Sequence, residues 1–514
     1  MRSAIPATFV PLTVADGIRV SAGRTPHKVA VREGDRTLTY AGLRERVHRV
    51  GNAALGGLGL TPGDHVAIVS GNRLEFVELV VGLAGAGLAV ATISPASSPA
   101  EMAHIVSDSK AWALFVDPAR ADVARAVADQ FGIPVVLIGE GYETWLAGAR
   151  DTHPGVVPDE WDPMVIHYTS GTTGEPKGVL CPHRSRTLNY LAMAAEYGCY
   201  GPRDHGLTIA PMYHGAGLSF TLANLFLGGS ATILPKFDPE AVLAAFAAEP
   251  ITNAFMVPTH FHGLFGLGDA RVAEVGKGAL RTIVSNAAPL SQAMKERIVA
   301  VLGEDLLFEC YGSTEAGVVS NLPPADQLRK ERSVGLPFPA TEVRLLDDEG
   351  QEVAAGEVGE LFSRSPYLFV GYQGRPEATA AALRDGWFSA GDLAVRDEEG
   401  YLYLVDRKGD KIITGGLNVF PREVEEVLSR HPAVAEASVY GVQDERWGEA
   451  IHASVTLDRT SAVPFDSDEV VAFCREALAS YKVPKRVEVI DELPRNAGGK
   501  VLRRVLRDRA ESAG

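Results

Sequence analysis

The segment Tyr168-Thr169-Ser170-Gly171-Thr172-Thr173-Gly174-Glu175-Pro176-Lys177-Gly178 gathers small hydroxyl residues, three glycines and a lysine. Glycine lets the backbone approach phosphate oxygens closely, while N–H groups, hydroxyls and an ammonium neutralise their charge. The chemistry is that of a nucleotide-phosphate loop. It is not a Walker loop, which needs Ser or Thr after its lysine; here Gly178 follows Lys177. A strand predicted over Met164–Tyr168 leads into the loop and would hold it at a sheet end.

Four more polar segments follow in order: Pro211-Met212-Tyr213-His214-Gly215-Ala216-Gly217, Tyr311-Gly312-Ser313-Thr314-Glu315-Ala316-Gly317, Trp387-Phe388-Ser389-Ala390-Gly391-Asp392, and Leu493-Pro494-Arg495-Asn496-Ala497-Gly498-Gly499-Lys500. With the phosphate loop they resemble the superfamily of acyl-CoA synthetases, peptide-synthetase adenylation domains and luciferases, in its acyl-CoA ligase branch. Leu38-Thr39-Tyr40 and Gly63-Asp64-His65-Val66-Ala67 are similar too, so the resemblance spans essentially the whole chain.

The resemblance implies ATP, Mg2+ and coenzyme A. It places ATP phosphates on Thr169, Ser170, Gly171, Thr172, Thr173, Gly174 and Lys177, with Tyr311, Gly312 and Thr314 beside them and Glu315 on the metal. A hard cation wants carboxylate and phosphate oxygens, which suits Glu315. Asp392 and Arg407 are expected on the ribose, and Asn286, Ala287, Ala288 and Pro289 against the adenine. Family members usually carry glycine where this chain has Asn286, so that side chain is expected to narrow the pocket or add a polar contact. Lys500 is the expected catalytic lysine, bridging the substrate carboxylate and the α-phosphate where charge shifts in the transition state.

His214, Gly215, Ala216 and Gly217 resemble the acyl gate, with His214 beside the carboxyl carbon. Amino-acid activators usually place an aspartate here for the substrate ammonium. This stretch offers none, and an unpaired buried ammonium costs several kcal/mol, on the order given by charge burial in proteins. A carboxylic acid without a recognised α-amine is therefore expected, and the small residues leave room for a bulky or aromatic acyl group. Gly415, Gly416 and Leu417 resemble the pantetheine passage, where a thiol arm passes close to backbone. Trp447, with Tyr481 as a candidate partner, is expected to stack on the coenzyme A adenine. Gly409 stands at the pivot, where relatives commonly carry a charge. The alternatives are a single half-reaction, loading of an acyl carrier protein, or a non-catalytic adenylate-binding protein.

Strands expected at His65–Ser70, Trp112–Asp117, Val135–Gly139, Leu207–Pro211, Thr232–Leu234, Ala254–Val257, Thr282–Ser285 and Leu306–Glu309 must position these groups. They alternate with helices such as Glu240–Ala248 and Ser291–Val301, which argues for α/β sheets. Short strands with Asp-Gly and Glu-Gly turns from Gly335 to Tyr403 suit an antiparallel, barrel-like portion. After Asp406 a compact α+β segment begins, with helices Pro421–Ser429 and Ser467–Leu478. The expected fold is thus α/β multidomain: residues 1–406 as two sheet subdomains plus a barrel-like subdomain, and 407–514 as a small mobile α+β lid.

A net charge of −16, from 65 acidic and 49 basic residues, disfavours non-specific nucleic-acid or anionic-membrane binding. The four cysteines form no CxxC pair, so neither a disulfide framework nor a zinc site is expected. Residues 1–20 hold no sustained apolar block, and Leu79–Ile93 is short and glycine-broken, so neither a secretory signal nor a membrane span is expected. A cytoplasmic location fits. His260 and His262 have no third ligand nearby, and Arg503 to Arg509 reads as a solvated helix face.

Overall fold

The computed structural model describes residues 10–170, 176–415, 417–444, 446–458, 463–495 and 501–512. The chain divides into two compact units, Met1–Glu342 with Ser363–Phe388, and Val343–Phe362 with Ser389–Gly514.

The larger unit contains two sheets with parallel centres. One runs, in spatial order, Gly371–Tyr372, Pro176–Pro182, Pro163–Ser170, Ala89–Ile93, His65–Val69, Ala111–Val116 and Val135–Leu137. Its last five strands are parallel and the first two antiparallel. Strands such as His65-Val66-Ala67-Ile68-Val69 are nearly continuous apolar runs because helices cover both faces. The other sheet runs Leu336–Pro337, Gly317–Leu322, Leu307–Ser313, Thr282–Ser285, Asn253–Met256, His205–Thr208, Ser230–Ile233, Val29–Glu33 and Arg36–Thr39. Its six central strands are parallel and both edges turn antiparallel. The apolar stretch Leu79–Ile93 is a buried helix, Leu74–Gly85, followed by the strand Ala89–Ile93.

Most expected strands end within two residues of their expected bounds, and two end further off, for local reasons. The strand expected at Leu207–Pro211 stops at Thr208. Beyond it the Asn72 amide serves the backbone instead of a ladder: Nδ2 donates to Ala210 O at 3.0 Å and Oδ1 accepts from Met212 N at 2.7 Å. The strand expected to finish at Glu309 continues to Ser313, because Gly317–Leu322 folds back on it.

The smaller unit pairs Asp392–Arg396 antiparallel with Leu402–Arg407. It also holds a sheet of Leu417–Val419, Ile412–Thr414, Gly448–Leu457 and Val434–Asp444, with Arg486–Val489 against Gly448–Leu457. Helix Pro421–Ser429 starts on a proline, whose missing N–H costs nothing in a first turn. Helix Ser467–Ala477 is capped by Asp466, whose side chain accepts from two backbone N–H groups. Ile412, Leu428, Ile451 and Val470 are central to the core they share.

Candidate active site

Both expected phosphate motifs are hairpins, each where a parallel sheet turns antiparallel. Thr169 pairs with Lys177 across the first. Ser313 pairs with Gly317 across the second, so Thr314 and Glu315 occupy its tip, and Ser313 Oγ accepts from Ala316 N at 3.1 Å. Carboxyl ends of parallel strands are where open α/β sheets bind ligands. Tyr372 ties the two hairpins together. Its hydroxyl donates to Glu315 Oε1 at 3.0 Å, and Lys177 Nζ stands 5.6 Å from its ring centre. Burial, then the neighbouring Glu315 carboxylate, push the Tyr372 phenol well up, so it remains a donor.

The Pro211–His214 turn and helix Gly215–Phe226 lie at the carboxyl end of the next parallel strand but two, on the same side. No acidic residue stands in that helix's first turn. Tyr213 and His214 pack ring to ring at 4.7 Å. The turn is fastened to the other sheet: Thr92 Oγ1 donates to Tyr213 O at 2.8 Å and lies 3.0 Å from His167 Nδ1. Arg186, also buried, donates to Thr314 O and Tyr367 O, both at 3.2 Å. Gly217 answers to packing: a Cβ there would run into the Pro211 carbonyl. At Gly215 a Cβ would meet only ordinary contacts, with His167 and Thr314 Oγ1.

Asn286 spends both ends of its amide inside the protein. Nδ2 donates to Cys310 Sγ at 3.3 Å and Oδ1 accepts from Ala287 N at 2.5 Å, in a turn that puts Ala287 at φ 74°. Beneath this loop Lys295 and Glu309 form a buried ion pair.

In the smaller unit Arg407 Nε donates to Asp392 Oδ1 at 3.1 Å, across paired strands. A Cβ at Gly409 would meet nothing within 4 Å. Beside Gly409, Arg503 forms ion pairs with Asp406, Asp410 and Glu425. The expectation of a wholly solvated basic face therefore fails at Arg503, whose side chain is only 21% exposed. Gly415, at φ 58°, lies under the Trp447 ring, 3.3 Å from the position its Cβ would take. The indole is partly exposed and flanked by Arg446 and Lys485, at 4.9 and 5.0 Å from the ring centre. Leu417 is exposed nearby in the strand pairing with Thr414, whereas Tyr481 packs against the unit's core.

Residues 18–373 match the family described as AMP-binding enzyme, and residues 423–500 match the AMP-binding enzyme C-terminal domain. The chain belongs to the AMP-binding enzyme family. Feruloyl-CoA synthase from Amycolatopsis sp is 38% identical over 95% of this chain and 97% of that protein. Fatty acid–[acyl-carrier-protein] ligase ScoC from Streptomyces coeruleorubidus is 36% identical over 95% and 94%. ATP-bound MatB from Rhodopseudomonas palustris superposes with a TM-score of 0.89, at 31% identity, covering 97% of this chain and 99% of that one. These relatives place it in the acyl-CoA ligase branch, among AMP-forming acid–thiol ligases.

In this AMP-binding enzyme Thr169, Lys177, His214, Gly215, Thr314 and Glu315 fall in one unit, and Asp392, Arg407, Gly409, Gly415 and Trp447 in the other. Gly171, Thr172, Thr173, Gly174, Gly416 and Lys500 lie outside the described residues, as does the side chain of Ser170. Sequence reasoning missed His167, Arg186 and Tyr372; a histidine or arginine amid apolar strand and helix positions was the only signal. His260 is a core residue, stacked on Phe237 at 4.4 Å. Among the described residues no group of three or more His, Cys, Asp and Glu could hold a metal, and no helix is long and apolar enough to cross a membrane. All four cysteines are free and buried.

Proposed function

We propose that this enzyme activates a carboxylic acid lacking a recognised α-amine as its acyl-AMP, releasing pyrophosphate, and then transfers the acyl group to coenzyme A. The observation that carries the reading is the meeting of the two phosphate hairpins through Tyr372, next to an acyl turn without a carboxylate. Thr169, Lys177 and Thr314 are assigned to phosphate oxygens, Asp392 and Arg407 to the ribose, and Asn286–Pro289 to the adenine face. Glu315 fits Mg2+: Tyr372 occupies Oε1, and the missing ligands are those that phosphate oxygens bring. When bound, the ion would offset charge on the departing pyrophosphate. Lys500 draws the two anions together, and the segment at Gly409 is the assigned pivot for residues 407–514 between half-reactions. For the second step, Trp447 beside Gly415, with the Arg446 and Lys485 cations over its ring, sets an indole and two positive charges together for an adenine nucleotide bearing phosphates.

Pyrophosphate exchange and thioester formation from synthetic acyl-AMP test the halves separately. Lys500→Ala should lower exchange by about 10²–10³-fold, as for loss of one preorganised charge donor, and leave transfer largely intact. Equal loss in both steps would remove that role. Exchange without transfer to coenzyme A would redirect the second step to an acyl carrier protein, the acceptor in the name of ScoC.

A further inference from the structure

Lys177 and Glu315 stand on the two phosphate hairpins with opposite charges, and among the described residues neither is in an ion pair. Both side chains are instead in contact with one neutral residue. The Tyr372 hydroxyl donates to Glu315 Oε1 at 3.0 Å, and Lys177 Nζ lies over the Tyr372 ring, 5.6 Å from its centre. Opposite charges that touch one ring attract each other, and a lysine stem is long enough to close such a gap. Closed into a pair, they would cancel the charges that phosphates and a cation need. The phenol satisfies each of them separately.

Main-chain hydrogen bonds fix the tyrosine to both hairpins. Strand Gly371–Tyr372 pairs antiparallel with Pro176–Pro182, and Gln373 N donates to Gly178 O at 2.8 Å. On the other side Phe369 N donates to Glu315 O at 2.7 Å. Thr379 Oγ1 accepts from Tyr372 N at 2.9 Å, which uses the remaining backbone donor. The ring is therefore held beside the two charges rather than free to leave them. Its hydroxyl takes one carboxylate oxygen of Glu315; among the described residues nothing donates to the other.

We propose that Tyr372 is a positioning residue that keeps Lys177 and Glu315 from neutralising one another and leaves Glu315 Oε2 for the cation that accompanies ATP. The proposal rests on the acyl-ligase reading above, in which Lys177 takes phosphate oxygens and Glu315 the metal.

The test is binding by the full-length enzyme, read apart from turnover. Mn2+ in place of Mg2+ is titrated by electron paramagnetic resonance with a non-hydrolysable ATP analogue present. Metal-free ATP is titrated by calorimetry with a chelator present. Tyr372→Phe keeps the ring and loses the donor, so Mn2+ affinity should fall about 10- to 100-fold, the scale for losing the partner of a metal ligand. Metal-free ATP should bind to it as to the wild-type enzyme. Tyr372→Leu removes the ring as well, and metal-free ATP should bind about fivefold more weakly, because Lys177 must first leave Glu315. Glu315→Gln relieves repulsion of metal-free ATP in either background, but it should gain about fivefold more in Tyr372→Leu than in the wild-type sequence. A merely structural role for the tyrosine would not produce that coupling. Unchanged Mn2+ affinity in Tyr372→Phe would overturn the assignment, and so would equal gains from Glu315→Gln in the two backgrounds. If Tyr372→Leu does not fold, the Tyr372→Phe titrations decide alone. A wild-type enzyme that binds neither ATP nor Mn2+ with the analogue would instead overturn the functional reading beneath it.

Discussion

Around Thr314 the larger unit relies on uncharged partners or on carbonyls: Thr92 bonds Tyr213 O and His167, and Arg186 spends its guanidinium on two main-chain oxygens. Around Asp406–Asp410 the smaller unit relies on charge, one guanidinium serving three carboxylates. Buried hydrogen bonds are short-ranged and tie a backbone to one register. Ion pairs tolerate a change of partner, which suits the proposed pivot better than a sheet end.

Acid should separate the two most. In the larger unit His167, His183 and His260 are buried, and burial lowers them from 6.5 to about 3, 4 and 4. The unfolded chain binds protons at these sites first, so their contribution is complete above about pH 6.5 and is lost as pH falls toward 4. Each costs about 1.4 kcal/mol per pH unit within that window, on the order of 4 kcal/mol for all three. Glu425 in the smaller unit runs the other way. Burial, only partly offset by Arg503, raises its carboxyl, so its contribution is present below 4.5 and declines as pH rises through the raised value. Hydrogen exchange at pH 7, 5.5 and 4.5 should show the larger unit losing protection first; earlier loss in the smaller unit would break the comparison.

Substitution sharpens it. Arg503→Met leaves carboxylates without their cation and should cost about 3 kcal/mol in urea unfolding. Thr92→Val removes a donor to Tyr213 O and should cost about 1–2 kcal/mol. A reversed order would mean that charge, not hydrogen bonding, is the weaker support. The smallest effect is expected at Gly409. With open space around its Cβ position, Gly409→Lys should change stability by less than about 0.5 kcal/mol. Comparing the two half-reaction rates in that variant would test the proposed turning motion about Gly409.

Much of this was legible in the chain. Parallel strands announce themselves as apolar runs, and helix Pro421–Ser429 begins and ends where its sequence says. The motif loops were visible because glycines and hydroxyls mark backbone that must approach phosphate. What could not be read was partnership. His167, Arg186 and Tyr372 meet residues far along the chain, and strand periodicity assigns a face without naming what lies across it. Arg503 was misjudged for the same reason: its carboxylates lie 78 to 97 residues away. The Asn286 amide spends its oxygen on the adjoining Ala287 N and its nitrogen on Cys310, 24 residues on.

The buried cysteines bear on self-acylation. Cys181 Sγ lies 3.8 Å from Thr314 O, and Cys310 is the partner of Asn286, so two thiols stand within the fabric of a site suited to an activated acyl group. A thiolate there would compete with the incoming acceptor and leave the enzyme trapped as its own thioester. Burial pushes all four thiols up, to about 12 for Cys199 and Cys310 and about 11 for Cys474, so at neutral pH they stay protonated and poorly nucleophilic. Chemoselectivity among thiols is thus built into the packing: the only sulfur able to attack is one that arrives from solution.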